Sequence, residues 1–464
     1  MQTEFQNKTV AVVGLARSGR ACCDVLTRLG ATVIPWDSKP ADALTDALAE
    51  LTALGLTPLT GGAALDYTAL DYVVTSPGVP KHAAVLQEAV AASVPVLGEI
   101  EAAYRIARAP ILAITGTNGK TTTAVLLAEM LKAAGIQTYI AGNIAAGDIA
   151  LPLIRAAYEA PAEAAIVAEI SSFQLEWVST FRPKVAALLN ITPDHGDRQT
   201  WEEYVAAKWR IFEFQAADDF AVVPSDIMMY DTRRPGIKAH MWEFGRDASD
   251  EYMAYEMNGV LSVEFGGLDP VHPSEWRKIA DVSEVKLQGL HNRDNILAAA
   301  AMATAFGVGV EPIRLVATTF TGVVHRLEYV GTLDGVSYVN NSMCTNADAF
   351  DKSLAALPEP KVVIAGGVFK GGDVGQLGKS VAAHNVRALV LIGRAAPEID
   401  AAASAAGFIN TRRAGTLAEA VTMAAGLAQV GDTVLLAPAC ASFDLFRDFE
   451  DRGDQFKALV KAQQ

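Results

Sequence analysis

Short apolar runs of strand length alternate with longer Ala-rich stretches of helical period along the whole chain. Thr9-Val10-Ala11-Val12-Val13 is an unbroken run of the kind found in strands buried on both faces. A Gly-containing turn, a helix through about Leu29 and a second run, Thr32-Val33-Ile34-Pro35-Trp36-Asp37, follow it. Further strands are predicted at Tyr72–Thr75 and Val94–Leu97. Ile111-Leu112-Ala113-Ile114-Thr115 opens a second block, with a helix predicted from about Thr122 to Ala134 and strands near Ala165–Glu169 and Val185–Leu189. Residues 250–290 read differently, because Tyr252 to Phe265 alternate around Asn258-Gly259, a two-residue hairpin signal. A helix from about Arg293 to Phe306 leads to a third block beginning near Val323, with strands at Val362–Ala365, Ala388–Ile392 and Thr433–Ala437. Strands alternating with helices predict parallel α/β sheets. Breaks at Arg105 to Pro110 and at Thr321-Gly322-Val323 predict three domains, 1–106, 107–322 and 323–464.

Composition narrows the class. Of 464 residues, 51% are hydrophobic and 20% charged, enough apolar material for several cores and incompatible with wholesale disorder. The 38 Lys and Arg against 53 Asp and Glu leave −15, which argues against a nucleic-acid surface while allowing a small basic pocket for an anion. No uninterrupted run of 18 apolar residues occurs, so no membrane insertion is expected. The N-terminus lacks the basic start and apolar stretch of a signal peptide. Cys22, Cys23, Cys344 and Cys440 have no zinc spacing. The expectation is a cytoplasmic protein.

The strongest chemical signal is Gly116-Thr117-Asn118-Gly119-Lys120-Thr121-Thr122 between a predicted strand and helix. Glycines let backbone N–H groups turn towards an anion, and the helix N-terminus adds positive potential. Lys120 can reach outer phosphates and the Thr121 hydroxyl can ligate Mg²⁺. Ile114 stands where the longer eight-residue phosphate loop has glycine, so this is a shorter variant. Gly14-Leu15-Ala16-Arg17-Ser18-Gly19 imitates a dinucleotide turn without its central glycine, which weighs against an NAD enzyme; Asp37 ends the next strand. Glu169 and His195 sit after strands, where a carboxylate and an imidazole can converge on a metal, and Lys208 lies among apolar helix neighbours. Each has a bland account: an ion-pair partner, a loop-capping histidine and a snorkelling lysine. Ser442 near a helix start suits a carboxylate or an ordinary N-cap, and Cys440 a small core residue or a thiol with no catalytic His.

In order along the chain, these segments resemble the Mur ligase family. The carriers are Thr115 through Thr121, Glu169-Ile170-Ser171-Ser172-Phe173-Gln174-Leu175, and Asn190 through Arg198 with Asp194-His195. Gly289-Leu290-His291-Asn292, His325-Arg326-Leu327-Glu328 and Pro438 through Asp444 continue the match. The resemblance implies an α/β fold of three domains. These are an N-terminal Rossmann-like domain, a central P-loop ATPase-like parallel sheet with a small β-hairpin element, and a C-terminal Rossmann-like domain. It implies ATP-dependent amide formation through an acyl phosphate during peptidoglycan precursor synthesis, most like the members that add D-glutamate to UDP-N-acetylmuramoyl-L-alanine. ATP and two Mg²⁺ ions are implied, with Lys208 carbamylated, and the partners are small molecules acting on a monomer.

By the same resemblance, Lys120 contacts the β- and γ-phosphates among loop residues Gly116, Thr117, Asn118, Gly119, Thr121 and Thr122. Thr121 and Glu169 hold one Mg²⁺; His195 and Lys208 serve the second. Asn292 and Asn295 lie on the adenine side, with His325 and Arg326 at the hinge end and Asn341 at the ribose. Arg17, Ser18, Asp37 and Ser38, with Ser76, Pro77 and Gly78, form the uridine-nucleotide site, and Asn143 and His195 also meet the precursor. Thr345, Lys370, Ser442, Phe443 and Phe449 surround glutamate. After Asn143 the usual Gly-Leu-Pro is Ala145-Ala146-Gly147. The family's Asn-Asp-Ser-Lys-x-Thr-Asn reads Asn340-Asn341-Ser342-Met343-Cys344-Thr345-Asn346 here, so an acid and a lysine are lost. This leaves open a related ligase adding L-glutamate or another amino acid. A non-enzymatic nucleotide-binding descendant is disfavoured by the joint presence of Lys120, Glu169, His195 and Lys208.

Overall fold

The apolar runs form three sheets. The structure is a computed structural model that describes residues 4–142, 151–192, 199–227, 236–246, 252–265, 275–287, 289–369 and 374–463. The first sheet comprises β1 (Thr9–Val13), β2 (Thr32–Trp36), β3 (Tyr72–Thr75) and β4 (Val96–Gly98), all parallel in the order β2-β1-β3-β4. The second comprises β5 (Ile111–Thr115), β6 (Thr138–Gly142), β7 (Ala165–Glu169), β8 (Val185–Leu188), β9 (Phe220–Pro224) and β10 (His240–Gly245), extended by β11 (Tyr252–Met257), β12 (Val260–Phe265) and β13 (Glu275–Asp281). Its order is β13-β12-β11-β10-β9-β8-β5-β7-β6. The third comprises β14 (Glu328–Leu333), β15 (Val336–Asn340), β16 (Lys361–Gly366), β17 (Val386–Ile392), β18 (Thr411–Arg413) and β19 (Thr433–Leu436), ordered β14-β15-β19-β16-β17-β18.

The expected hairpin is present: Met257 pairs with Val260, and Asn258 (φ 53°) and Gly259 (φ 77°) take the left-handed pair that a two-residue turn needs. Two helices start earlier than their apolar period suggests. One runs Lys120–Ala133, because Gly119 (φ 83°) supplies the non-helical N-cap, and one runs Leu290–Ala305 behind Gly289.

The chain divides into two compact units, 1–320 and 321–464. The first unit carries two sheets because one apolar cluster runs from Val10, Val12 and Leu26 through Ile100 to Ile111 and Ile166. A buried carboxylate adds directional ties. Glu101, on the helix Glu99–Ile106 that follows the first sheet, accepts backbone N–H bonds from Ser179 (3.0 Å), Thr180 (3.1 Å) and Phe181 (3.0 Å). It also accepts from the Thr180 hydroxyl (2.5 Å) and pairs with Arg105 at 2.9 Å. Burial alone would raise its pKa, but these donors outweigh burial and hold it below the usual range. Its neighbour Glu99 is pushed up to about 7 by burial, although the backbone N–H groups of Ile154 and Leu153 oppose the shift.

Glu101→Ala is expected to destabilise the first unit by about 3 kcal/mol, since the buried Phe181 N–H, the Ser179 and Thr180 N–H groups and Arg105 lose their acceptor. The depressed pKa fixes the sign with pH: the Glu101 contribution is present above its unfolded pKa and is lost as pH falls through the folded value. Denaturant unfolding at neutral and acid pH checks both, with the gap between wild type and variant narrowing in acid.

In the second unit, alternation along β16 sends Val363 and Ala365 to one core and Val362 and Ile364 to the other. Among the described residues, no helix is long and apolar enough to cross a membrane.

Candidate functional site

Each sheet reverses its winding at one place, and the strand ends there are where α/β sheets hold ligands. In the second sheet that place is β5, flanked by β7 and β8. The loop after β5 turns at Gly116 and Gly119, and a Cβ on Gly119 would lie 2.3 Å from Asn295 Oδ1. Asn190, just beyond β8, braces the loop: its carbonyl accepts from Thr117 N–H (3.0 Å), its Oδ1 from Asn118 N–H (2.9 Å), and its Nδ2 donates to the Asn118 carbonyl (3.0 Å). Thr117 Oγ1 lies 2.9 Å from the Tyr204 hydroxyl. The helix Lys120–Ala133 has no side-chain cap, so its N-terminus faces the loop uncovered by any capping side chain.

Lys120 Nζ folds back over the loop, donating to the carbonyls of Gly116 (3.0 Å) and Thr117 (2.9 Å). Thr121 Oγ1 donates to Glu169 Oε2 at 2.6 Å, and both residues are buried. A hydroxyl and a carboxylate side by side next to a phosphate-type loop are hard oxygen donors suited to Mg²⁺, which takes one or two protein ligands beside phosphate oxygens. Among the described residues, no group of three or more His, Cys, Asp or Glu is placed to hold a metal. Thr122 is half-buried in the first turn of the same helix. Asn295 accepts from Thr123 Oγ1 (3.3 Å) and donates to Asn292 Oδ1 (3.2 Å), which brings both predicted asparagines to the loop.

Lys208 is 2% exposed on the helix Trp201–Trp209, whose start is set by a capping box between Thr200 and Glu203. Its Nζ donates to the Gly116 carbonyl at 2.8 Å and lies 4.5 Å from the centre of the Tyr204 ring. A snorkelling surface lysine is therefore ruled out by its burial. Two lysines, 120 and 208, meet at one carbonyl oxygen.

At the switch between β1 and β3 lies a cavity of about 1080 Å³, lined by Arg17, Ser18, Asp37, Ser38, Ser76, Pro77 and Gly78 among others. Asp37 is nearly buried and accepts from Leu15 N–H (2.8 Å) and Lys39 N–H (2.9 Å), pinning the β1 turn to the end of β2. Ser76 Oγ donates to the Gly14 carbonyl at 2.6 Å. Gly19 permits close helix packing, since a Cβ there would sit 1.8 Å from Gly14 O.

In the second unit, β16 and β19 flank the switch. Val368 and Ala441 exchange backbone hydrogen bonds (2.8 and 2.9 Å), joining the loop after β16 to the loop that carries Ser442. Ser442 is buried, Phe443 is 71% exposed, and Thr345 and Phe449 are half-buried. The Phe449 ring stands edge-on to His325 with centroids 6.2 Å apart. Burial pushes the Cys440 thiol up to about 12, as suits a core residue. Asn341, also buried, accepts from Leu327 N–H (3.1 Å) and donates to Ser353 Oγ (2.5 Å). Arg326 sits between His325 and Leu327, both at positive φ. Asn143, His195 and Lys370 lie outside the described residues.

One supporting residue of this unit escaped the sequence. Arg452 is fully buried, with its pKa lowered to about 10 by burial, and donates to Ser342 Oγ (2.9 Å), Ser342 O (2.8 Å) and Cys440 O (3.1 Å). It ties the Asn340–Thr345 loop to the loop after β19. Its one signal was its place with Phe456 and Val460 at helical spacing on a buried stripe.

Three family descriptions match successive parts of the chain. Residues 8–98 match the Mur ligase MurD-like N-terminal domain, 114–303 the Mur ligase middle domain, and 325–440 the Mur ligase glutamate ligase domain. The chain is 41% identical to the UDP-N-acetylmuramoylalanine–D-glutamate ligase of Pelotomaculum thermopropionicum, covering 99% of each. It is 42% identical to the protein of that name in Thermoanaerobacter pseudethanolicus, covering 98% of this chain and 99% of the relative. In fold it resembles the UDP-N-acetylmuramate–alanine ligase of Thermotoga maritima, with TM-score 0.53 and 17% identity over 99% of this chain and 100% of that one.

Proposed function

The chain belongs to the Mur ligase family, and from that premise we propose that it joins D-glutamate to UDP-N-acetylmuramoyl-L-alanine, converting ATP to ADP and phosphate. The observation that carries the chemistry is the convergence of the glycine loop, Lys120 and the Thr121–Glu169 pair at the β5 and β7 ends. The identity of the added amino acid rests on full-length relatives named as D-glutamate ligases.

In this reading the loop N–H groups from Gly116 to Thr122 and Lys120 bind the β- and γ-phosphates. Thr121 and Glu169 hold Mg²⁺, which supplies charge neutralisation where several anions meet. Asn292 and Asn295 take the adenine side, and Arg326 belongs to the hinge end of the nucleotide site. The precursor carboxylate attacks the γ-phosphorus and ADP leaves; the glutamate amine then adds to the acyl carbon, loses a proton, and inorganic phosphate is expelled from the tetrahedral intermediate to leave the amide. Arg17, Ser18, Asp37, Ser38, Ser76, Pro77 and Gly78 bind the uridine nucleotide, and Asn143 and His195 also meet the precursor. Thr345, Lys370, Ser442, Phe443 and Phe449 hold glutamate.

The second Mg²⁺ falls to His195 and Lys208. The Lys208 amine adds to the carbon of CO₂ and loses a proton, giving a carbamate; its burial beside the phosphate loop supports this. We assign the three jobs to residues 1–106, 107–322 and 323–464, in a cytoplasmic monomer. Phosphate release is expected only when UDP-N-acetylmuramoyl-L-alanine, ATP, Mg²⁺ and glutamate are all present; release with any one omitted would overturn the ligase reading. A second reading, L-glutamate or another acceptor, follows from the altered Asn341-Ser342-Met343 segment.

A further inference from the structure

Asn341 occupies the position from which the family resemblance implies a ribose contact, but its side chain is committed elsewhere. We infer that Asn341 is a positioning residue for the turn carrying Arg326, and not a nucleotide contact; this rests on the ligase reading above.

Both ends of the Asn341 amide are used inside the domain. Leu327 N–H can only donate, so the oxygen of the amide must face it, at 3.1 Å. The NH₂ end is then fixed on Ser353 Oγ at 2.5 Å, and Ser353 gives its own proton to the Ala349 carbonyl at 2.5 Å. The donor–acceptor order therefore runs Leu327 N–H to Asn341 to Ser353 to Ala349. The Asn341 backbone is held as well, donating to Leu436 O (2.8 Å) and accepting from Cys344 N–H (2.9 Å). Asn341 is 5% exposed.

The turn it supports is one that would not hold its shape unaided. His325 (φ 63°) and Leu327 (φ 44°) are both left-handed, a conformation that costs energy in residues with a Cβ and persists only where surroundings fix it. The fixing bonds are His325 N–H to Glu328 Oε2 (2.9 Å), Met343 N–H to His325 O (3.1 Å), Asn340 Nδ2 against His325 Nδ1 (3.0 Å) and Leu327 N–H to Asn341. Arg326 is the residue between the two strained ones. Through Ser353 the same amide ties this turn to the helix Ala347–Ala355, which begins two residues after Thr345. Asn341 thus sets Arg326 and the Thr345 loop in one frame. An aspartate could accept from Leu327, but it has no proton for Ser353, whose hydroxyl would have to abandon Ala349 to serve it.

The test uses the full-length enzyme with Asn341→Asp, Ser353→Ala and the double variant. For each, kcat and KM are measured with ATP and with its 2′-deoxy and 3′-deoxy analogues, and a melting temperature is recorded. The expected result is a fall in kcat of about tenfold in each single variant. KM for ATP should change little, the double variant should be no worse than the poorer single one, and the preference for ATP over both analogues should stay as in wild type. Equal or higher kcat in Asn341→Asp, or a variant that no longer distinguishes ATP from a deoxy analogue, would make Asn341 a ribose contact and overturn the inference. A lowered melting temperature with unchanged kcat, or an unaffected Ser353→Ala beside an impaired Asn341→Asp, would overturn it too. Ser353→Ala keeps the test decisive should Asn341→Asp fail to fold, and wild-type turnover in the same assay reports separately on the ligase reading.

Discussion

Lys120→Ala is expected to lower glutamate-dependent phosphate release by about a thousandfold or more, equivalent to about 4 kcal/mol of transition-state stabilisation. The lysine lies over the loop: its Nζ donates to the Gly116 and Thr117 carbonyls, neutral acceptors that a phosphate oxygen readily outcompetes. Phosphoryl transfer has little covalent chemistry for a protein to perform, so fixed positive charge at the transferring group is a large share of the catalysis. The loop should survive the substitution, because Asn190 holds it through three hydrogen bonds that do not involve Lys120. Melting behaviour near wild type together with lost turnover is the expected pattern. A loss under tenfold would mean that another group carries the phosphate charge.

Lys208→Ala comes second, with turnover expected to fall about a hundredfold, the scale of a lost metal-positioning group. The decisive feature is rescue. If Lys208 works as a carbamate, short carboxylates such as formate or acetate restore part of the activity, and Lys208→Arg does not. If it works only as the ammonium donor to the Gly116 carbonyl at 2.8 Å, arginine rescues and carboxylates do nothing. Unchanged activity in Lys208→Ala would remove the carbamate proposal.

What could be read from the sequence was local. Gly116 through Thr122 announces itself because its glycines, lysine and hydroxyls lie within seven residues and the flanking periods switch from strand to helix. The Asn258-Gly259 hairpin was readable for the same reason. Roles depending on distant partners were not. Glu101 looks like any helix-surface acid until Ser179, Thr180 and Phe181 fold over it. Asp37 reads as a ligand contact, whereas both its oxygens also accept backbone N–H groups. Nor does local sequence foretell that His325 and Leu327, neither of them glycine, adopt left-handed backbone; a local bond from Glu328 and tertiary bonds from Asn340 and Asn341 hold it.

The central claim is that this chain couples ATP to the joining of D-glutamate. The most direct measurement incubates the enzyme with UDP-N-acetylmuramoyl-L-alanine, ATP and Mg²⁺ against D-glutamate, L-glutamate and a panel of other amino acids, weighing the nucleotide product by mass spectrometry. The account predicts a product heavier by one glutamyl residue with D-glutamate, and none with the others. A product formed with L-glutamate or another amino acid in its place, or no product with any of them, would contradict it.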